Sequence, residues 1–442
     1  MVLNTNIFKT LRTVNFRLYF SILALMLFPT AYQTVRIHFL GDLPQAAGLN
    51  IAGQMQWVGL IYEVIQEALI LPLFYALGQF VNDKGEFQNR IKTGLLATVS
   101  IYGGLSIFIY IFARPLLLLM GQDPGLLEAS LAYIRLETLA MVMVTAFKFI
   151  YVVLVILKKE RHLYITLTVQ MVLSVILDTF LVSNLDLSLK MGVNGIPITN
   201  LTVNGVVIAV GLVLLKKEGL NIFGRGQLDF KWFREWWAVG RYSGLESLVR
   251  NLGFAVMIVR MMNLIQEQGN FWLANHFIWQ WLLLPALALG DLVKQEVAQG
   301  GRWAENVKAG FPAYMLLCVI FSLFWLGSIP FWPFFLARIM NVQALSTVYF
   351  LVIAQTPVYL TFIFNNTLDS IFYGSGRTDY MLYQSLLVNI AVNGLAFLLY
   401  LNGLFTPTLI SLTILFSCGM LADFIITLFM FCRFIRLNGL KL

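Results

Sequence analysis

The residues able to do chemistry in this chain are few, and most stand inside apolar runs. Asp178 lies in MVLSVILDTFLV (171–182), where a buried carboxylate costs a few kcal/mol unless something demands it. Glu63, Gln66 and Glu67 sit at i, i+3 and i+4 in YEVIQEA, which puts three polar groups on one helix face. Lys148, in AFKFIYVV, is a partner for either glutamate. Two chemistries stay open for this set: an ion pair that braces the bundle, or a proton relay in which protonation of a glutamate or of Asp178 alters that pairing. Glu246 and Arg250 are one turn apart in GRYSGLESLVRN, and a forked, permanently charged guanidinium there serves either as a structural pair or as a carboxylate or anion contact. Arg36 and Arg260 fall nearer the outer ends of their runs, where long basic side chains snorkel. IFNNTLDS supplies Asn365 and Asn366, a pair suited to lining a cavity, and Asp369; Asp423 stands alone in the last run. Trp279 and Gln280 in HFIWQWLLLP offer an aromatic ring and an amide, with packing as the simplest role. His38, His162 and His276 form no pair at metal-ligand spacing and no nucleophile motif accompanies them, so an enzyme and a metal centre are not expected. Cys318, Cys418 and Cys432 read as core thiols, without a disulfide or metal role.

The elements that must hold these groups are membrane helices. Of 442 residues 59% are hydrophobic and only 12% charged, which leaves too little polar surface to wrap a water-soluble core. Apolar runs long enough to cross a ~30 Å hydrocarbon layer recur along the chain. Twelve spans are expected, near 15–39, 52–82, 93–119, 129–157, 162–184, 192–215, 241–265, 272–297, 308–334, 343–372, 379–401 and 405–433. With both termini cytoplasmic, twenty-two of the 30 basic residues fall on the inner side, among them Lys9, Lys158, Arg225 and Lys441. That bias fixes orientation and supports an even number of spans in a cytoplasmic (inner) membrane. The net charge of +8 is thus a topology signal spread over the inner loops, and no nucleic-acid partner is expected. No short apolar stretch with a small-residue cleavage site opens the sequence, so the first span should remain as a helix.

The inner loops also carry a repeat. Aligning GQFVNDKGEFQNRIKTG (78–94) with KQEVAQGGRWAENVKAG (294–310) pairs Gln79 with Gln295, Val81 with Val297, Gly85 with Gly301, Lys92 with Lys308 and Gly94 with Gly310, every pair 216 residues apart. The same offset pairs Arg161 with Arg377 and Tyr164 with Tyr380. A constant offset across successive loops argues for two parallel six-helix halves, 1–215 and 241–442, joined by the basic segment 216–240. Such halves imply a central cavity with the substrate near the membrane midplane.

In their order along the chain, ARPLLLLMGQDPGLLEASLAYIRLE (113–137), LSVILDTFLV followed by MGVNGIPITN, LANHFIWQW and FYGSGRTDY resemble segments of the multidrug and toxic compound extrusion (MATE) family, within the multidrug/oligosaccharidyl-lipid/polysaccharide flippase (MOP) superfamily. The resemblance covers nearly the whole chain. It implies an all-α polytopic fold of twelve transmembrane helices in two pseudo-symmetric six-helix lobes around a central cavity. It further implies that Asp178 binds the coupling proton or sodium ion with Thr199 nearby, that Ser174 takes the place of an asparagine one turn earlier, and that Gln33 takes the place of the first-span acid. One carboxylate among hydroxyls suits a proton better than a sodium cage, which wants several oxygen ligands. In the second half Arg250 falls where one subfamily has a glutamate, and Phe362 where the tenth-span aspartate is found. The arginine favours an anionic or zwitterionic substrate over the hydrophobic cations usual in the family.

The resulting expectation is a monomeric MATE-type antiporter, without cofactor or catalytic residues, that exports small amphipathic compounds across the bilayer in exchange for protons or, as the second choice, sodium. Its cavity is expected to be lined by Glu63, Gln66, Glu67, Lys148, Glu246, Arg250, Gln280, Asn365 and Asn366. A flippase for an anionic lipid-linked sugar on the same fold is the alternative. A non-transporting receptor or scaffold is the third reading.

Overall fold

In lipid a backbone must satisfy its own hydrogen bonds, and a helix does so within one segment. The computed structural model describes residues 11–43, 47–157, 159–222, 224, 228–299 and 302–440, and every regular element in them is helical. Lys9, Lys158, Arg225, Gly301 and Lys441 lie outside the described residues.

Twelve principal helices follow in order: α1 (Phe16–Gly41), α2 (Met55–Leu69), α3 (Lys84–Leu119), α4 (Leu127–Ile156), α5 (Glu160–Leu181), α6 (Gly195–Lys217), α7 (Phe233–Phe254), α8 (Gln268–Phe277), α9 (Trp303–Ser328), α10 (Leu345–Gly374), α11 (Asp379–Val388) and α12 (Leu409–Leu437). A π turn, a distortion that often marks functional sites, directly follows three of them, α7 at Ala255–Val259, α8 at Ile278–Leu282 and α11 at Asn389–Gly394, and a fourth lies at Phe335–Ile339, separated from α9 by a 3-10 turn and the short helix Trp332–Phe334. Among the described residues nine helices are long and apolar enough to cross a membrane, and a tenth span forms if α8 and Leu284–Ala298, bent by 56°, are taken together. The two remaining expected spans are present as α2 and α7. The expected run 52–82 is broken: α2 is only 15 residues long, and beyond it Pro72 precedes the separate helix Leu73–Gly78. α7 is a polar helix, carrying Arg234, Glu235, Arg241, Glu246 and Arg250 among its 22 residues. The chain is a multi-pass membrane protein.

The helix starts repeat along the sequence. α9, α10, α11 and α12 begin 219, 218, 219 and 214 residues after α3, α4, α5 and α6. Packing groups the residues differently from the sequence halves: one compact unit spans Ala31–Gly269, and the other comprises Asn270–Leu442 with the chain up to Thr30. The division falls inside α1, beside Pro29, and places α7 in the first of these units.

Within the 31–269 unit, α7 lies directly on α2. Ala68 of α2 is met by Gly240 and Gly244, spaced four apart on α7; a Cβ on Gly240 would stand 1.9 Å from the Ala68 carbonyl oxygen, and one on Gly244 would stand 2.7 Å from the Ala68 Cβ. Small residues at this spacing let two backbones approach closely, which matters in lipid, where helices gain nothing by hiding apolar surface from one another. The close approach brings Ser243 Oγ to the Glu67 carbonyl at 2.7 Å and Trp236 Nε1 to the Leu69 carbonyl at 2.8 Å.

In the other unit the core is aromatic. Tyr359, fully buried, takes a hydrogen bond from Trp279 Nε1 at 3.0 Å and gives one to Asn275 Oδ1 at 3.1 Å, and it stacks on Trp325. Cys318 is buried against the Thr367 hydroxyl. Cys418 and Cys432 depart from the core assignment, since both are exposed on α12, a helix with only 11% of its apolar window covered by protein.

Gly240→Ala should destabilise the protein by about 1–3 kcal/mol or more, because the backbone of α2 cannot yield as a side chain could. Gly205→Ala on α6, where no atom lies within 4 Å of the added methyl, should be neutral or stabilising by up to about 1 kcal/mol. Thermal unfolding of the purified variants in detergent measures both.

Candidate functional site

The last three turns of α1 deliver Arg36 to the interior of the 31–269 unit. Its Nε donates to Asp178 Oδ2 at 2.7 Å and its Nη2 reaches Asp178 Oδ1 at 3.4 Å. The two side chains are 13% and 1% exposed. Arg36 therefore does not snorkel outward: a carboxylate held this deep near the end of α5 without a partner would be far more costly than turning the guanidinium inward. Tyr32, one turn earlier on α1, lies 6.0 Å from the guanidinium carbon.

A second carboxylate completes the group. Glu137 on α4 is 5% exposed and acts on Arg36 through space, as Asp178 does. α4 packs along α6, which brings Asn200 Nδ2 to Glu137 Oε1 at 2.7 Å. Glu137 Oε2 is buried with no hydrogen-bond partner. Of the other residues expected here, Thr199 is fully buried with its hydroxyl unpartnered, Ser174 is buried, and Gln33 is half-buried on α1 beside Tyr32. One arginine thus faces two carboxylates, so the group carries a net charge of −1 when all three are ionised and none once a single proton is added.

A second polar group joins α2, α4 and α7 in the same unit. Lys148 Nζ hydrogen-bonds Gln66 Oε1 rather than a glutamate, with Glu63 and Glu67 acting on it through space. Glu63 Oε1 instead meets Arg250 Nη2 at 3.1 Å, and Arg250 Nε lies 3.5 Å from Glu246 Oε1. Arg250 therefore bridges its own helix to α2. Arg260 reaches from beyond the π turn to cap the end of α3 at the Leu119 carbonyl, 2.8 Å away.

The remaining expected residues lie in the other unit and do not form one group. Gln280 Oε1 accepts from the Thr30 hydroxyl at 3.0 Å, and Asn366 Nδ2 donates to the Ala286 carbonyl at 3.1 Å. Asn365, 1% exposed, turns to the other side of α10 and donates to Asp369 and Asp423. Asp423, expected to stand alone, also accepts from Gln384 Nε2 at 2.6 Å. Phe362 packs its ring against Trp279 at 5.1 Å.

No protein-family model matches the sequence, and no curated protein does. Solved structures match over almost all of both chains. A mutant of the Vibrio cholerae MATE transporter VcmN gives a TM-score of 0.66 at 16% identity, covering 99% of this chain and 98% of that one. An inward-facing multidrug resistance MATE transporter of the MOP superfamily gives 0.72 at 14% identity, with 96% and 100% covered. A MOP superfamily transporter from Pyrococcus furiosus, described as having a binding pocket of reverse polarity, gives 0.69 at 14%, with 96% of each chain covered.

The chain has the MATE fold.

On this MATE fold the first helix supplies Asp178 with a positive charge one turn beyond Gln33, where the sequence resemblance expects an acid. Arg36 was read from sequence as a snorkelling residue, and Glu137 and Asn200 were not among the residues singled out. Glu137 carried a usable signal, being an acid inside the expected span 129–157. Arg36 and Asp178 are 142 residues apart, and no local pattern links them.

Removing either partner of the Arg36–Asp178 pair, by Arg36→Met or Asp178→Leu, should cost about 3–5 kcal/mol, whereas the double substitution should recover most of that loss. A double-mutant cycle by thermal or denaturant unfolding tests this, with additive losses as the contrary result.

Proposed function

We propose that this chain is a secondary transporter of the MATE type, exporting small amphipathic organic compounds across the cytoplasmic membrane in exchange for protons. The fold likeness supports transport, and the observation that carries proton coupling is the buried group of one arginine and two carboxylates. Asp178 holds the guanidinium with both oxygens, and protonating it would strand a buried positive charge. Glu137 can take a proton while Arg36 keeps Asp178, and its Oε2 is the oxygen left without a donor. The proton is therefore carried by Glu137, and Asp178 orients the arginine. Adding that proton cancels the net charge of the group and removes an attraction between α4 and the end of α1, which shifts the balance between the two access states. Sodium is the weaker candidate at this position, because the guanidinium beside both carboxylates repels a second cation.

Both termini on the cytoplasmic side, two lobes corresponding to the sequence halves and a monomeric state belong to the same reading. The substrate is read as amphipathic from the largely apolar helices around isolated polar groups. A flippase for an anionic lipid-linked sugar requires basic groups available to a phosphate, and Arg36, Lys148 and Arg250 are each engaged by side chains of their own unit.

Reconstituted protein loaded with a fluorescent amphipathic dye should show efflux driven by an imposed pH gradient. Glu137→Gln, which imitates the protonated form, should slow gradient-driven efflux at least about tenfold and flatten its pH dependence. Gradient-driven efflux at the parent rate in the folded variant would refute the assignment to Glu137. Movement of a lipid-linked sugar phosphate in place of any dye would refute the exporter reading.

A further inference from the structure

The loop between α5 and α6 alternates apolar and polar residues, Leu185, Leu187 and Leu189 with Asp186, Ser188 and Lys190. Its leucines are not packed. Leu187 is 82% exposed and Leu189 71%, and Leu185 is exposed as well. Hydrogen bonds nevertheless fix the loop closely. The Ser188 amide closes a turn on the Leu185 carbonyl at 3.0 Å, and the Ser188 hydroxyl donates to the Phe180 carbonyl at 3.0 Å. The Leu189 and Met191 amides donate to the Phe180 and Leu181 carbonyls at 2.7 and 2.8 Å. Asn184 Nδ2 adds a bond to the Asp42 carbonyl at 2.6 Å, beyond the end of α1. The backbone is thus held in a shape that leaves three large apolar side chains uncovered.

The same bonds set the level of the loop. The candidate span Arg161–Leu181 has 21 residues, and at about 1.5 Å per residue it matches the thickness of the hydrocarbon layer. Leu181 therefore stands at the hydrocarbon boundary. With Leu189 bonded to Phe180 and Met191 to Leu181, the chain folds back to that boundary instead of running out into water. Val172, Ile176 and Phe180, at i, i+4 and i+8, are exposed along one side of α5, which in a membrane protein is a side covered by lipid. The apolar surface passes from helix to loop at Phe180, where the two are hydrogen-bonded. Lys190 is exposed beside it.

We propose that Leu185, Leu187 and Leu189 form a membrane anchor seated among phospholipids at the acyl–headgroup boundary by the Leu181 end of α5, the outer leaflet in the topology given above. An exposed apolar patch outside the spans marks a protein or membrane contact. Lipid is the occupant here because the patch continues a lipid-facing helix side and lies at the end of a hydrocarbon-length span. Acyl tails take the leucines, and Lys190 reaches the phosphates along its own apolar stem. The anchor bears on α5 itself. Asp178 lies two residues before Phe180, and its carbonyl accepts from the Val182 and Ser183 amides, so a loop seated at the boundary fixes the depth of the carboxylate that holds Arg36. The inference needs only the multi-pass fold, and it stands whether or not Glu137 carries the proton.

Full-length protein in phosphatidylcholine nanodiscs, one copy per disc, tests the anchor by electron paramagnetic resonance. A nitroxide is attached at Leu187→Cys in a background of Cys418→Ser and Cys432→Ser, which removes the two exposed thiols. Its collisions with oxygen, which concentrates in lipid, are compared with those of a water-soluble nickel chelate. Oxygen should dominate and place the label about 5–10 Å below the phosphates, the depth of interfacial segments. Leu189→Cys should give the same depth, and it decides should Leu187→Cys fail to fold. A label relaxed chiefly by the nickel chelate would show the loop in water and overturn the proposal. So would a label shielded from both reagents, which means cover by the chain itself, or one shielded only in discs holding two copies, which means cover by a second copy.

Discussion

A charge inside the hydrocarbon layer must be answered by another group, and the interior of this protein is arranged around that requirement. The pair of Arg36 and Asp178 is its clearest expression. Within the hydrocarbon layer the partners come from other helices, and α1 is brought to α5 by a guanidinium that uses two nitrogens. The same requirement ties α4 to α6 through Glu137 and Asn200 and ties α7 to α2 through Arg250 and Glu63. Apolar contacts make these helices compatible with lipid. Polar contacts decide which of them touch, because in lipid apolar surface does not discriminate between neighbours.

This division of labour bears on how a transporter could work. A bundle held by apolar packing alone has no group whose state an ion gradient can change. Here the groups whose charge can vary sit at helix junctions, and adding or removing one positive charge alters the attraction between named segments. The 31–269 unit has such a junction with a fixed cation and two acids. The other unit has one with two acids, two amides and a hydroxyl. The two junctions differ in chemistry, so similar helices in the two units need not respond alike.

The helices were legible in the sequence because long apolar runs and basic loops are local signals. So was the recurrence of helix starts near a spacing of 216. The depth of Asp178 was equally legible, but its partner was not: the position of Arg36 toward the outer end of α1 suggests snorkelling, and only the packed structure shows the side chain turned inward. Lys148 illustrates a second limit. Sequence puts Glu63, Gln66 and Glu67 on one face, yet which of them meets the lysine depends on α7, whose Arg250 claims Glu63. The pairing of Asn365 with Asp423 crosses 58 residues and joins helices that no periodicity connects. Breaks were not read in advance: the expected second span ran through Pro72 to residue 82, although its helix ends before that proline, and the four π turns leave no mark in the sequence.

The distance along the chain between Arg36 and Asp178 also sets a problem of timing. Helices enter the bilayer in the order of synthesis, and the arginine is made 142 residues before the aspartate that receives it. At about 5–20 residues per second this interval lasts roughly 7–30 s, during which α1 carries an uncompensated cation. For that period the nascent helix must linger beside the insertion machinery, keep its guanidinium among headgroups, or be held by a chaperone, and a ribosome stalled before α5 would leave behind a product that cellular quality control can recognise by its orphaned arginine.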